Sequence, residues 1–101
     1  MSERAELQVI LTLLSRAYCH LCDEMLAALR PIADAHGASI HVVDVDAHPA
    51  LEAAYGDDVP VLFAGDPGTG AELCRHRLDA ARVAAAFAAS DVPASRGRAG
   101  G

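Results

Sequence analysis

Between Gln8 and Leu14 apolar side chains fall at both parities, with Val9, Leu11 and Leu13 on one side of an extended chain and Ile10 and Leu14 on the other. A strand of this kind needs cover on both faces, so the segment predicts a central strand in a layered α/β domain.

The residues after Leu14 fit that layering. Ser15-Arg16-Ala17-Tyr18 leads out of the strand, and Cys22, Met25, Leu26, Leu29, Ile32 and Ala33 then recur at helical spacing, which predicts a helix with one buried stripe. Gly37 supplies its stop. Ser39 to Val45 reads as a second strand rich in β-branched residues. Strand, helix and strand in so short a stretch make a βαβ unit, and the right-handed crossover rule sets the two strands parallel and adjacent with the helix packed across them.

Asp46-Ala47-His48-Pro49 opens a second helix over Pro49 to Tyr55, with Pro49 at its first position and Gly56 at its end. Past Asp57-Asp58, residues Val59 to Ala64 predict a third strand whose Pro60 sits at the start, where a missing N–H does least harm. Gly65-Asp66-Pro67-Gly68-Thr69-Gly70 has the chemistry of a hairpin turn, and Ala71 to Leu78 is the antiparallel return. Asp79 caps a final helix over Ala80 to Ala89, whose buried face is alanine apart from Val83 and Phe87. The expectation is one α/β domain over residues 6–89, a four-stranded mixed sheet flanked by three helices. Residues 90–101 lack an apolar period and are expected to be a disordered tail.

Composition limits the core and the partners. A chain of 101 residues is one domain, and its apolar residues include 22 Ala against 11 Leu, 8 Val, 3 Ile and 2 Phe, so the core carries little aromatic mass. The net charge is −6 and every cation is arginine. Arg96 and Arg98 are too few to form a basic patch, so neither nucleic acid nor anionic membrane is an expected partner. The run Leu7 to Leu14 is too short to span a bilayer, and the acidic start Ser2-Glu3-Arg4-Ala5-Glu6 does not read as a signal peptide. The expected location is the cytoplasm.

In that reducing compartment a close cysteine pair points to redox or metal chemistry rather than to a structural staple. Cys19-His20-Leu21-Cys22 falls at the junction of first strand and first helix, which puts Cys19 at or beside the N-cap and Cys22 in the first turn. Their sulfurs lie within disulfide reach, while free backbone N–H groups and the positive end of the helix dipole favour a thiolate at Cys19. Cys19 is the candidate nucleophile; Cys22, on the stripe with Met25 and Leu26, is the candidate resolving cysteine. Arg16 and His20 stabilise such a thiolate, whereas Asp23 and Glu24 oppose a second anion. Cys74 reads as a small buried hydrophobe. Asp44, Asp46 and His48 are explained by strand-end polarity and helix capping without a metal. His36 and His41 read as helix-end and strand-face residues, and Arg75, Arg77, Asp79 and Glu72 as a solvated, salt-bridged edge.

The βαβ start, the C-x-x-C at the strand-to-helix junction, the Val59-Pro60 step before the third strand, the hairpin and the last helix together resemble the glutaredoxin and thioredoxin superfamily. The chain looks most like its small bacterial glutaredoxin-like proteins, from about Glu6 to Ala89. The resemblance implies a thioredoxin-like fold of the glutaredoxin type, βαβ-α-ββα, and a thiol-disulfide oxidoreductase in which Cys19 and Cys22 cycle between dithiol and disulfide to reduce protein or low-molecular-weight disulfides. It implies substrate contacts at Arg16, Tyr18, His20, Val59 and Pro60. A cis Val59-Pro60 bond would lie beside the cysteine pair, the Val59 backbone would pair with an extended substrate, and Arg16 would stand where a cation meets the glycyl carboxylate of glutathione.

Two features depart from the glutaredoxin pattern. His20-Leu21 replaces the usual Pro-Tyr or Pro-Phe, and Arg75-His76-Arg77-Leu78 replaces the Gly-Gly that holds the γ-glutamyl end. The expectation is a monomer with no bound cofactor and no metal, drawing electrons from a thiol reductant such as glutathione or a thioredoxin-reductase-type system, and acting on disulfide-containing proteins or small thiols. The alternative is a non-catalytic binding module of the same fold, or a holder of zinc or an Fe–S centre between chains.

Overall fold

In the computed structural model, which describes residues 9–96 of the chain, with side chains as far as Ala89, the doubly apolar segment becomes β1 (Ile10–Ser15), second of four strands ordered β2-β1-β3-β4. It pairs in parallel with β2 (Ser39–Asp44), Leu13 opposite Val42, and antiparallel with β3 (Val61–Ala64), Leu13 opposite Leu62. β4 (Ala71–Arg75) closes the sheet antiparallel to β3. The helices are α1 (His20–His36), α2 (Pro49–Tyr55) and α3 (Ala80–Arg96), with short 3₁₀ turns at Val45–Ala47 and Gly56–Asp58. This is the mixed four-stranded sheet with three helices expected of a thioredoxin-like fold.

The two parities of β1 feed two cores. Leu11 and Leu13 pack with Leu62 and Leu73 from the sheet, Met25 and Leu29 from α1, and Val83 and Phe87 from α3. Leu14 joins Cys22, Val45, Val59, Val61 and Phe63, with Leu51 and Tyr55 of α2 against them. Each fully buried Leu or Val removes apolar surface worth about 1.5–3 kcal/mol, so β1 alone anchors both layers. The Val83 and Phe87 contacts are the bulky attachments of α3. Its alanines leave an open apolar cleft of about 440 Å³ lined by Ala64, Ala71, Leu73, Ala85, Ala86 and Ala89.

Helix ends follow local chemistry. At the C-terminus of α1, Gly37 adopts φ 66, and the N–H groups of Gly37 and Ala38 close on the carbonyls of Asp34 and Ala33 at 3.2 and 2.9 Å. This is the Schellman arrangement, which glycine adopts without a Cβ penalty. The side chain of Asp79 accepts the Arg82 N–H at 3.1 Å and starts α3. In the hairpin, a Cβ on Gly70 would collide with the Ala64 carbonyl.

Strand ends differ from expectation where the ladder fails. Gln8 lies outside the described residues, and β1 runs one residue further, to Ser15. Val45 leaves β2 for a 3₁₀ turn because the Asp44 side chain caps it, accepting the Asp46 N–H at 2.9 Å. β3 starts at Val61 rather than Val59, since Pro60 has no N–H to donate. β4 stops at Arg75 rather than Leu78, because His76 turns the chain with φ 70. α3 continues to Arg96, past the expected end at Ala89. Residues 90–96 hold a single alanine and include Pro93, which has no N–H to donate, so helix propensity does not account for the extension. Residues 97–101 of the expected tail lie outside the described residues. Among the described residues no helix is long and apolar enough to cross a membrane.

Candidate redox site

After Ser15 the chain leaves the sheet through Arg16, Ala17 and Tyr18 and enters α1 at Cys19, which is its N-cap with extended backbone, φ −109 and ψ 105. The Cys19 Sγ accepts the backbone N–H of Cys22 at 3.1 Å, and the Cys19 carbonyl accepts that of Asp23 at 3.1 Å. A cysteine thus occupies the place of a Ser or Asp cap and takes up one of the helix's orphan donors. Cys19 and Cys22 are joined as a disulfide with Cα atoms 5.2 Å apart, inside the range such a bridge requires.

The two sulfurs are unequal. Cys22 is 1% exposed and lies in the core with Leu14, Val45, Val59, Val61 and Phe63, whereas Cys19 packs on the edge of that core and keeps part of its surface in water. When the pair is reduced, a thiolate at Cys19 keeps the Cys22 N–H and the positive end of the α1 dipole, both of which favour the charged form.

Tyr18, immediately before the pair, adopts φ 60 with its ring wholly exposed. The left-handed conformation costs an ordinary L-residue roughly 1–2 kcal/mol, and no internal packing of the ring offsets it. His20, the first residue of α1, and Leu21 are also exposed. Across the site the Val59–Pro60 peptide is cis. Val59 and Pro60 are both buried, and the Pro60 carbonyl accepts the His76 N–H at 2.8 Å. Among the described residues neither the N–H nor the C=O of Val59 has a hydrogen-bond partner.

Arg16 is placed differently from its sequence reading, which turns it toward the Cys19 thiolate or a glutathione carboxylate. Its guanidinium donates to the Asp46 carboxylate, to the Gly56 carbonyl at 2.8 Å and to Glu52 at 3.5 Å. Two carboxylates therefore already neutralise it, and it ties the exit of β1 to the 3₁₀ turns and α2.

A second ion-pair cluster lies on the Val59 side. Arg75 donates to Glu72 at 2.6 and 2.7 Å and to Asp58 at 2.9 Å, and it covers the Tyr55 ring with its guanidinium carbon 5.9 Å from the centroid. Its hydrogen bond holds the Glu72 carboxyl below the usual carboxylate range. His76 adds a contact to Asp58 at 3.5 Å. The expected salt-bridged edge is thus Arg75 with Glu72 and Asp58; Asp79 caps α3 instead, and Arg77 has no ion pair among the described residues. Sequence reasoning places Asp58 only in a turn. The signal available for its ion pair is an acidic step, Asp57-Asp58, directly before Val59, with two arginines on the segment that returns beside it.

Cys74 is half-buried on β4, and burial pushes its thiol pKa up, which keeps it protonated. Of the D-x-D-x-H string, Asp44 caps a turn and Asp46 pairs with Arg16. Among the described residues no group of three or more His, Cys, Asp or Glu is placed to hold a metal ion.

Residues 10–88 match the family model described as glutaredoxin-like domain (DUF836). Among solved structures the chain is similar to protein Ne2328 from Nitrosomonas europaea, with 35% identity, a TM-score of 0.69, and coverage of 78% of this chain and 91% of that one. It is also similar to protein XcR50 from X. campestris, with 43% identity, a TM-score of 0.58, and coverage of 78% and 96% respectively. Thioredoxin 1 from Thermosipho africanus shares the fold at 22% identity and a TM-score of 0.54, over 85% of this chain and 97% of that one. No curated protein sequence matches.

Proposed function

The chain belongs to the glutaredoxin-like domain family, and from that membership we propose that it is a thiol-disulfide oxidoreductase that cycles Cys19 and Cys22 between dithiol and disulfide. The observation that carries this reading is the Cys19 Sγ standing as the N-cap of α1, 3.1 Å from the Cys22 N–H, with its partner sulfur buried one turn inward.

In the reducing direction the Cys19 thiolate attacks one sulfur of a substrate disulfide. That S–S bond breaks, the distal sulfur leaves as a thiolate that takes a proton from water, and a Cys19–substrate mixed disulfide forms. Cys22 then loses its proton and attacks the Cys19 Sγ, which releases the second substrate sulfur and closes the Cys19–Cys22 bond. Two electrons have passed from the pair to the substrate, and an external dithiol or glutathione restores the dithiol. No bound cofactor takes part. Val59, whose N–H and C=O have no partner among the described residues, offers one short stretch of ladder to a substrate backbone next to the sulfurs.

Titration in a dithiothreitol redox buffer should show a reversible two-electron transition of Cys19 and Cys22. Cys19→Ser should abolish reduction of a disulfide substrate while the protein stays folded, and Cys22→Ser should accumulate the mixed disulfide, visible by intact mass. Absence of the two-electron transition, or full activity in Cys19→Ser, overturns the reading.

A further inference from the structure

The link between β1 and the redox pair consists of Arg16, Ala17 and Tyr18. Ala17 and Tyr18 are exposed, and among the described residues Arg16 is the one whose side chain anchors the link by hydrogen bonds. Its guanidinium works in two directions at once. Nε and Nη2 donate to the Asp46 carboxylate at 3.4 and 2.5 Å, while Nη1 donates to the Gly56 carbonyl at 2.8 Å. Gly56 opens the 3₁₀ turn Gly56–Asp58, and Val59 follows that turn directly. One side chain thus joins the chain just before Cys19 to the chain just before Val59. Gly56 has an ordinary helical φ of −54, so its missing Cβ serves close contact rather than backbone freedom: a Cβ there would lie 2.7 Å from the Glu52 Oε2, which accepts from Nη2 of Arg16 at 3.5 Å.

Resting on the redox reading above, we propose that Arg16 is a positioning residue: through the Gly56 carbonyl it sets where the Val59 backbone stands relative to the Cys19 sulfur, and so governs the rate with extended peptide disulfides without touching them. The N–H and C=O of Val59, which have no partner among the described residues, help a peptide only while its sulfur meets Cys19 in line. A displacement of about 1 Å in such a geometry can cost on the order of 100-fold in rate. A small disulfide needs only the Cys19 thiolate and does not register that distance. The charge of Arg16 is already met by two carboxylates, so what it supplies is its planar fork. A lysine keeps the charge but ends in a single nitrogen, which does not reproduce the simultaneous contacts to Asp46 and Gly56. The exchange itself is unchanged, and Arg16 gains or loses no bond or proton in it.

The test is a single-turnover reaction of the full chain, reduced with dithiothreitol and freed of it, against three probes. These are bis(2-hydroxyethyl) disulfide, glutathione disulfide, and a synthetic disulfide-linked peptide with three residues on each side of its cysteine. Arg16→Met should lower the peptide-to-hydroxyethyl rate ratio about tenfold, the upper worth of one hydrogen bond, and keep the glutathione-to-hydroxyethyl ratio. Arg16→Lys should show the same two results, and it carries the comparison if the methionine variant does not fold. An unchanged peptide-to-hydroxyethyl ratio, equal losses on all three probes, or wild-type ratios in Arg16→Lys overturns this inference alone. A loss confined to glutathione disulfide also overturns it, in favour of a carboxylate-binding Arg16. Failure of the wild-type protein to react with any probe, the neutral one included, overturns the redox reading and this inference with it.

Discussion

The imidazole of His36 lies flat on the ring of Phe87, centroids 4.0 Å apart and planes inclined by 8°, so the last turn of α1 is fastened to α3. The redox helix is thereby held at the end opposite Cys19. His36→Ala should cost about 1 kcal/mol, the usual worth of an aromatic pair beyond its buried area. Urea unfolding, compared with a neighbouring exposed site such as Ala35→Ser, checks it.

Thr12 is 2% exposed in the middle of β1, and among the described residues its Oγ1 has no hydrogen-bond partner. An unsatisfied buried hydroxyl costs about 1–3 kcal/mol, and valine has nearly the same shape. Thr12→Val should therefore raise the thermal midpoint. A lower midpoint would mean that the hydroxyl is satisfied in solution.

Burial raises the Cys74 thiol pKa, so at neutral pH little thiolate is present. Iodoacetamide added to the reduced protein should label Cys19 first and Cys74 more slowly than a free cysteine does, with the Cys74 rate climbing at alkaline pH. Cys74→Ala should leave the two-electron titration unchanged and cost stability only through lost packing. Peptide mapping of alkylated sites reads both outcomes.

The Glu72 carboxyl is held below its ordinary pKa by its hydrogen bond to Arg75, so the folded state binds that proton less readily than the unfolded chain. The bridge therefore stabilises the fold at pH values above the ordinary carboxylate range, and the contribution is lost as pH falls through the lowered folded value. Both side chains are about one-third exposed, which keeps the effect under about 1 kcal/mol. Glu72→Gln should lower the urea midpoint at neutral pH, and the gap from wild type should narrow as pH falls below the ordinary carboxylate range.

The features legible in the residues are those that depend on near neighbours. The two parities of β1, the buried stripe of α1, the bounds of α2 at Pro49 and Tyr55, the Asp79 cap and the Cys19 position at a helix start all rest on spacings of a few residues. The contacts of Arg16 are hidden because its partners Asp46, Glu52 and the Gly56 carbonyl lie 30 to 40 residues away. The ends of β2, β3 and β4 move because Asp44 caps a turn, Pro60 lacks an N–H and His76 turns the chain, none of which the apolar pattern of the strands registers. His36 looks like an ordinary helix-end residue because its stacking partner belongs to the last helix. The left-handed backbone of Tyr18 is invisible for a different reason: residue type argues against it, and only the path from β1 into α1 imposes it.

The alanine face of α3 sets how the molecule opens. Lifting a helix held by Val83 and Phe87, with an unfilled cleft beside them, exposes little new apolar surface compared with lifting α1, whose Cys22, Met25, Leu29 and Ala33 are all buried. Detachment of α3 therefore costs less than detachment of α1, and its amide hydrogens exchange with solvent ahead of those of α1 and β1. The half of the domain that carries the sulfurs then keeps its structure through fluctuations that periodically undress the other half.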